Sequence, residues 1–542
     1  MNSTMDFAAY AGRWVALVGE QVAGVGLTPE EAVQVARRNR SKDRFVLRFV
    51  DAQRGELLPL SPLVGRIRPF LQQYPQPMYL VGGAVRDLLL GRVAHDLDFV
   101  VPDGAIRLAF QVADQFGVPA YALDRERDTG RVVLQAEQTT FDFARFRGED
   151  LEADLRARDF TINAMALPVG DVSTANLIDP CDGQTDLAER QICLTHADAL
   201  QDDPVRALRA VRLAAELDFT LSAETETAVQ EAASLLHLVS HERIRDELLR
   251  LMQTAVPDAA VAAMHRLGLL TAVLPEVAEL ADVEQSPPHF EPVLAHTLHV
   301  VAWLVKLEAV LFAEKEAADP ALHAVRTALF PWFESLKAHF VRVVDGVNVL
   351  ALLRLAGLFH DVGKKSSQVM EANGRIRFIG HEKVSAEEAA HRLRVLCMSN
   401  HTIDHVQRIV RHHMRLFSLL TADRLPSRRA IFRYFRATGD AGLAVCLHAL
   451  ADYLAIHQGM GETAVFQRLL DIVVHLCRHY FEQYHEVVAP PALVNGRDLM
   501  QLLHVKPGPE IGRLLRLIEE AQAAGDIHTR DQALQFAQQS CS

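Results

Sequence analysis

Tyr79-Leu80-Val81-Gly82-Gly83-Ala84-Val85-Arg86-Asp87, followed by His95-Asp96-Leu97-Asp98-Phe99-Val100-Val101, is the stretch on which the fold turns. The first run is an apolar strand, a glycine pair and a helix carrying Arg86. Glycines let backbone approach a phosphate closely, and a helix N-terminus offers its free N–H groups to it. A Gly-Gly turn before a helix is also often only a turn. In the second run, residues i and i+2 of a strand share a face. Asp96 and Asp98 then point together while Leu97 and Phe99 enter the core. Two adjacent carboxylates repel unless a cation lies between them, and Mg²⁺ is commonly held by carboxylates and substrate phosphates. A third acid would complete a two-metal site. Thr140-Phe141-Asp142-Phe143-Ala144-Arg145-Phe146-Arg147 offers Asp142, flanked by aromatics. The alternative for Asp142 is a solvent-facing strand acid.

Outward from this core, short β-rich runs alternate with helices from Met78 to about Leu194. From Ala197 the pattern turns helical, with apolar residues three and four apart. Residues 1–60 read as a small α/β appendix with strand-like runs at Trp14–Val18 and Arg44–Val50 and a helix start at Thr28-Pro29-Glu30-Glu31. Gln285-Ser286-Pro287-Pro288 resembles a linker, and Ala489-Pro490-Pro491 sets off a helical tail. The expected domains are the appendix (1–60), an α/β head (61–196), a helical neck and body (197–285), a second helical domain (286–488) and the tail (489–542). No function is read for 1–60 or for Ala313–Asp345. At 542 residues, with 49% hydrophobic and 23% charged residues, the chain suits several soluble globular domains. Six cysteines without a C-x-x-C pair argue for a reducing compartment and against a disulfide framework. The N-terminus lacks a basic n-region, and Lys306 and Arg354 interrupt the longest apolar runs. A cytoplasmic protein without a signal peptide or membrane span is therefore expected. The net charge of −13 does not suggest a polyanion binder, so RNA contacts would need local basic faces.

Further segments fall in a telling order. They are Arg158-Asp159-Phe160-Thr161-Ile162-Asn163-Ala164-Met165, Asp179-Pro180-Cys181-Asp182-Gly183-Gln184-Thr185-Asp186-Leu187 and Asp202-Asp203-Pro204-Val205-Arg206-Ala207-Leu208-Arg209-Ala210-Val211-Arg212. Together with G-G-x-V-R-D and D-x-D, they resemble the class II tRNA nucleotidyltransferase and bacterial poly(A) polymerase family of the polymerase-beta superfamily. Asn495–Leu499 and Lys506–Gly512 also look familial. The departures are Ala157, where the family has a first arginine, and Asp202, where it has glutamate. The resemblance spans Met78 to the end. It implies an α+β, mostly helical protein: a polymerase-beta-like head with a small mixed sheet, a helical neck and body, an all-α HD domain and a helical tail. It further implies in-line attack of an RNA 3′-hydroxyl on an NTP, with Asp96 and Asp98 holding Mg²⁺ and Asp142 assisting. Gly82, Gly83, Arg86, Arg158 and Asp159 belong to the implied nucleotide site.

Asp203, Arg206, Arg209 and Arg212 recur every three residues, which makes them neighbours on a helix. The plain reading is an ion-paired face. The reading implied by the family is base selection by protein groups: Asp203 accepts from the amino group of C or A, and Arg206 donates beside it. UTP and GTP would set acceptor against acceptor, a mismatch that discriminates by about 10⁴-fold or more. Arg209, Arg212 and Arg158 would hold phosphate or ribose.

The second helical domain carries His296, His360-Asp361, His381, His412-His413 and Asp452. A lone histidine in such a domain is usually structural. The ordered set resembles the H…HD…D signature of HD metal-dependent phosphohydrolases. His381 and His413 could support a second ion, with His412 an alternative to His413. Imidazole and carboxylate suit Mn²⁺, Ni²⁺, Fe²⁺ or Zn²⁺. In the family such a domain implies phosphatase or phosphodiesterase activity.

Only Gly148–Ala153 separate Arg147 from Asp154. Relatives that build the whole CCA end have a longer loop here, so the resemblance points to a CC-adding enzyme using tRNA with CTP, ATP being a possible second substrate. The alternatives are a full CCA-adding, an A-adding or a poly(A)-polymerizing enzyme, or an HD phosphohydrolase whose head only binds RNA. The sequence is silent on oligomeric state.

Overall fold

A computed structural model describes residues 7–19, 21–39, 43–51, 57–58, 62–94, 96–135, 139–170, 174–312, 318–420, 424–504 and 506–540. His95, residues 313–317, Cys541 and parts of the 1–60 appendix lie outside the described residues. The chain forms two compact units, Met1–Ala232 and Ala233–Ser542.

Among the described residues the first unit holds a four-stranded and a six-stranded sheet, besides a short parallel pairing of Gln191–Ile192 with Thr220–Leu221. In the four-stranded sheet, β1 (Trp14–Val18), β2 (Gln21–Gly26), β3 (Val46–Val50) and β4 (Leu57–Leu58) pair antiparallel in the order β2-β1-β3-β4. Helix Pro29–Asn39 lies against β2 because Gly24 and Gly26 carry no side chain: a Cβ on Gly24 would stand 2.2 Å from the Ala32 carbonyl oxygen.

The second sheet consists of β5 (Tyr79–Val81), β6 (Leu97–Val101), β7 (Ala120–Asp124), β8 (Thr129–Leu134), β9 (Thr139–Arg145) and β10 (Ala166–Pro168). Its order is β10-β5-β6-β9-β8-β7, and only β6 and β9 run parallel. A parallel pair needs a crossover, supplied here by helix Ala105–Phe116 and the β7–β8 hairpin. The helix buries Leu108, Ala109 and Val112 and packs against β8 and β9. Strand alternation sends Phe99, Phe141 and Phe143 into the core; Phe99 stacks on Phe143 at 5.1 Å and meets Phe141 edge-on at 6.1 Å. The intervening residues Asp98, Asp142 and Arg131 emerge on the opposite face, half-buried. Asp96 departs from the sequence expectation: it sits in a bend, and β6 begins one residue later at Leu97. Helices Ala199–Asp202, Val205–Leu217 and Ala223–Ala232 complete the unit.

The second unit is helical apart from two antiparallel ribbons, Val343–Val344 with Val347–Asn348 and Gln368–Met370 with Ile376–Phe378. Helices Val293–Phe312 and Gly442–Ile456 pack together. Helix Val349–Phe359 packs on both, Asn400–His412 on Gly442–Ile456, and His381–Val395 on Asn400–His412. Among the described residues two stretches, Val293–Phe312 and Arg428–Ile456, are long and apolar enough to cross a membrane; 61% and 83% of an 18-residue window in each is buried. The terminal helices Gly496–Leu503, Pro509–Ala524 and Arg530–Ser540 share a core of Leu499, Leu514 and Ile518. They are tied to helix Arg428–Thr438 by ion pairs including Arg429–Asp526 at 2.7 Å and Arg436–Glu519 at 3.1 Å.

Phe99 has no exposed surface and carries the sheet's aromatic core. Phe99→Ala should destabilise the first unit by about 3–5 kcal/mol, seen as a lowered first transition in thermal unfolding. An unshifted transition would show that the core re-forms without it.

Candidate active site and metal centre

Asp98 on β6 lies directly across from Asp142 on β9 in the parallel register. Adjacent strands are about 4.8 Å apart, so the two carboxylates stand side by side. Burial, and then Asp142, push the Asp98 carboxyl up to about 6, with Arg158 and Arg131 pulling the other way. A cation between the two acids would relieve both effects, so the donor set fits a hard divalent ion. Asp96 joins through β9: its Oδ1 accepts from the Thr140 hydroxyl at 3.0 Å and from the Thr140 N–H at 3.4 Å. Arg131, across from Asp142 on β8, forks onto it with Nε–Oδ1 at 2.7 Å and Nη2–Oδ2 at 2.6 Å. Sequence reading passed over this arginine. Alternation along the β8–β9 hairpin was the available signal, since it sets Arg131 and Asp142 on one face.

Gly82 adopts φ +71°, and a Cβ there would lie 3.3 Å from Asp98 Oδ2 and 3.4 Å from Arg158 Nη1. The glycine turn, the acid pair and Arg158 are thus gathered together, with Gly83 beginning helix Gly83–Leu89.

Other motif residues brace this cradle. Buried Arg86 donates to Asp87 Oδ1 through Nε and Nη2 (2.9 and 2.7 Å) and to Asn163 Oδ1 through Nη1 (2.9 Å). Asn163 Nδ2 donates to Asp159 Oδ1 at 3.3 Å, and Arg209 Nη1 donates to Asp159 Oδ2 at 2.9 Å. Burial works to raise the Asp159 pKa, but Arg209 and the Phe160 N–H hold it below the ordinary value. Arg206 is buried: Nη1 donates to the Arg158 and Ala199 carbonyls (3.3 and 3.1 Å), Nη2 to the Ala157 carbonyl (3.2 Å), and Nε faces Asp203 Oδ2 at 4.0 Å. Arg212 pairs with Glu216 on its own helix at 2.5 Å. Asp203 precedes helix Val205–Leu217, so only the three arginines ride that helix. The Asp179–Leu187 turn is a further brace, since Gly183 passes so close to Thr161 that a Cβ would stand 2.2 Å from its carbonyl oxygen.

In the second unit all six expected ligands are buried: His296, His360, Asp361, His381, His413 and Asp452. His360 Nδ1, His381 Nδ1 and His413 Nδ1 lie 2.7–2.8 Å from the carbonyls of Gly357, Phe378 and Val410. A carbonyl only accepts, so Nδ1 carries the proton and each Nε2 keeps its lone pair for a metal. Two sets of ligand atoms gather, His296–His360–Asp361 and Asp361–His381–His413, each within 4.8 Å. Asp361 belongs to both: Oδ2 is 3.0 Å from His360 Nε2 and Oδ1 is 3.2 Å from His381 Nε2. Asp452 Oδ1 approaches His296 Nε2 to 3.1 Å. His296 Nε2, His360 Nε2 and Asp361 Oδ2 nonetheless make no aligned hydrogen bond among the described residues. Buried donor atoms converging without pairing are what ligands of common ions look like, since ligand bonds of about 2.1 Å put neighbouring ligands roughly 3 Å apart. Burial, reinforced by His360 and His381, pushes the His413 ring down to about 3, leaving it neutral as ligation requires. The structure brings His413 into the cluster; His412 makes no part of either ligand set.

Sequence reading missed three neighbours. Lys364 Nζ lies 2.7 Å from Asp361 Oδ2 and 2.6 Å from Gln285 Oε1. His289, directly after the segment read as a linker, meets the His296 ring edge-on at 4.9 Å. Buried His448 packs beside His360 and His413 at 4.9 and 5.7 Å. His448 lies four residues before Asp452, a helical spacing that could have found it.

Residues 78–193 match the family model of the poly A polymerase head domain, 218–280 the RNA and SrmB-binding site of polymerase A, 293–455 the HD domain and 376–537 tRNA nucleotidyltransferase domain 2. The chain is 33% identical over 481 residues to an A-adding tRNA nucleotidyltransferase of Deinococcus radiodurans, covering 87% of this chain and 98% of that one. It is 32% identical over 474 residues to a CC-adding tRNA nucleotidyltransferase of Thermus thermophilus, covering 85% and 93%. A solved CCA-adding enzyme in complex with ATP shares the fold with a TM-score of 0.54 at 20% identity, over 89% of this chain and 94% of that one.

Because Asp361 is common to both ligand sets, Asp361→Ala should empty both, whereas His381→Ala should remove one ion. Elemental analysis of purified protein reads this directly. Equal metal loss in the two variants would contradict a shared aspartate.

Proposed function

The chain belongs to the class II tRNA nucleotidyltransferases with a fused HD domain, and from that premise we propose that it adds the two cytidines of the tRNA 3′ end and leaves the terminal adenosine to another enzyme. The observation that carries this reading is the connection between β9 and Arg158. Asp150 caps helix Leu151–Arg156 by accepting from the Ala153 N–H at 2.8 Å. Buried Asp154 accepts the Arg147 N–H at 3.0 Å through Oδ1, and Arg158 Nε and Nη2 at 3.1 and 2.9 Å through Oδ2. Changing from C to A requires Asp203 and Arg206 to meet an amino group in a different place relative to the sugar. A short segment fastened at both ends has little slack to lever them there. An A-adding enzyme is the second reading, favoured by the similarity to the Deinococcus protein; a fixed site would serve a single base of either kind.

In the proposed mechanism Gly82, Gly83 and Arg158 receive the triphosphate, and Asp96, Asp98 and Asp142 would hold Mg²⁺. Arg86, Asp159 and Arg209 act through the network that fixes this cradle, and Arg212 stiffens the helix that carries Arg206 and Arg209. Asp203 accepts from the cytosine amino group, with the Arg206 Nε edge beside it. The RNA 3′-hydroxyl attacks the α-phosphorus in line and loses its proton with help from Asp142. A phosphodiester forms as the bond to the β-phosphate oxygen breaks and pyrophosphate leaves. In the HD centre, His296, His360, Asp361 and Asp452 would hold one transition-metal ion and Asp361, His381 and His413 a second, of Mn²⁺, Ni²⁺, Fe²⁺ or Zn²⁺ type. Divalent ions at both centres would supply Lewis acidity toward phosphoryl oxygens. We take the HD centre to be a phosphohydrolase for phosphate-ended RNA or nucleotides, and the site of action to be the cytoplasm.

Incubation with tRNAs lacking one, two or three 3′ nucleotides, each with a single NTP, tests base choice. CMP should enter the two shorter tRNAs efficiently, and AMP should enter a tRNA ending in CC poorly. Efficient AMP addition there would return the chain to the A-adding or full CCA-adding class. In the same assay Asp98→Ala should lower addition by on the order of a thousandfold while phosphatase activity toward a chromogenic phosphate ester persists. Retained addition would remove the acid pair from the mechanism.

A further inference from the structure

The acid pair belongs to a longer row. Register alignment runs Val81–Asp98 across β5 and β6, Asp98–Asp142 across β6 and β9, Asp142–Arg131 across β9 and β8, and Arg131–Tyr121 across β8 and β7. These residues therefore share one face of the sheet. Gly82 follows Val81 at one end of the row, and Tyr121 stands at the other, on the edge strand. Tyr121 is 46% exposed and Leu123, on the same strand, 44%. Arg131 is stabilised first by its hydrogen bonds to Asp142, with Tyr121 adding to them. The β7–β8 hairpin also exposes Arg125 and Arg127. The neighbouring Asp124 is occupied in its own turn, Oδ1 accepting the N–H groups of Glu126 and Arg127 at 2.9 and 3.0 Å. Glu126 and Asp128 alternate with Arg125 and Arg127, and Asp124 Oδ2 faces Arg127 Nε at 3.8 Å, so the hairpin is a mixed-charge edge that sets an exposed aromatic ring beside its arginines.

Nucleotidyl transfer imposes a direction on such a row. In-line displacement puts the attacking hydroxyl and the leaving pyrophosphate on opposite sides of the α-phosphorus. The glycine turn and Arg158, the groups suited to a triphosphate, lie on the β5 side of Asp98 and Asp142. The nucleophile must then come from the β8–β7 side. Arg131 stands one strand from Asp142, about 4.8 Å, and Tyr121 two strands, roughly 10 Å.

We infer that β7 and β8 form the subsite for the 3′ end of the RNA primer, with Arg131 taking the last phosphodiester, Tyr121 stacking the terminal base, and Arg125 and Arg127 following the strand outward. This rests on the nucleotidyl-transfer reading. Stacking on an aromatic ring is tolerant of base identity, which suits a primer whose last base changes as it grows. The carboxylate has lone pairs enough for a cation and an arginine contact together, so Arg131 need not leave Asp142 entirely.

The test uses the full-length protein and tRNA lacking its last two nucleotides. Arg131→Ala should raise the KM for RNA about tenfold, leave the KM for CTP within about twofold, and flatten the dependence of log affinity on log salt by about 0.7, one phosphate contact on a single strand. Tyr121→Ala should weaken RNA binding on the order of tenfold, and Tyr121→Phe should restore it. Fluorescence anisotropy with labelled RNA and no NTP measures the same affinities without turnover. If Arg131 serves only to orient Asp142, Arg131→Ala will lower kcat with RNA affinity and salt dependence unchanged, and Tyr121→Ala will be silent; either result overturns the subsite. Failure of the wild-type protein to extend RNA would instead count against the nucleotidyl-transfer reading, with the anisotropy arms still deciding the subsite.

Discussion

Two carboxylates held in register on neighbouring strands are the constraint on which the head depends. Asp98 and Asp142 face one another because β6 and β9 pair in parallel, and that pairing exists only because helix Ala105–Phe116 and the β7–β8 hairpin carry the chain back. The aromatic core beneath, Phe99 with Phe141 and Phe143, fixes which residues face outward. Slipping the register by one residue would bury the acids and expose the rings. Like charges brought together this way are unfavourable by themselves, so the fold stores a requirement for a cation. The second unit states the same requirement with different ligands: Asp361 stands between two groups of imidazoles, and backbone carbonyls set the proton positions of His360, His381 and His413.

Much of this was legible because local periodicity carries it. Strand alternation turned Leu97 and Phe99 inward and Asp98 outward, and Asp142 stood out as an acid flanked by aromatics. The ordered His and Asp residues of the second unit arrived in one cluster as read. What was not legible depends on pairings that sequence spacing does not encode. Arg131 is an ordinary strand arginine until the β8–β9 register sets it on Asp142. Asp96 fits an i, i+2 pair with Asp98, yet β6 starts after it and Thr140 holds it instead. Strand Ala120–Asp124 gives a weak signal because its exposed edge position lets alanines alternate with a tyrosine and a leucine. The choice between His412 and His413 turns on helix rotation, which only the packing of helix Asn400–His412 decides.

The arginine motifs show how one sequence feature divides between chemistry and support. Arg206, Arg209 and Arg86 each use their guanidinium forks to join separated segments: Ala157–Arg158 to Ala199, Asp159 to helix Val205–Leu217, and the glycine-turn helix to Asn163. An ion-paired helix face and the proposed nucleotide site are therefore compatible readings of the same residues. Arg158 is presented to Gly82 and Asp98 with its carbonyl held by Arg206 and its guanidinium by Asp154, and rigid support of this kind keeps a site pre-organised for charge that develops during reaction.

The central claim, that each unit folds so as to collect carboxylates for divalent cations, is tested most directly by anomalous diffraction from crystals grown with Mn²⁺ and CTP. The account predicts Mn²⁺ density bridging Asp98 and Asp142 in the head, and two further peaks flanking Asp361. An ordered nucleotide with no metal at the acid pair, Arg131 remaining forked on both Asp142 oxygens, would contradict it.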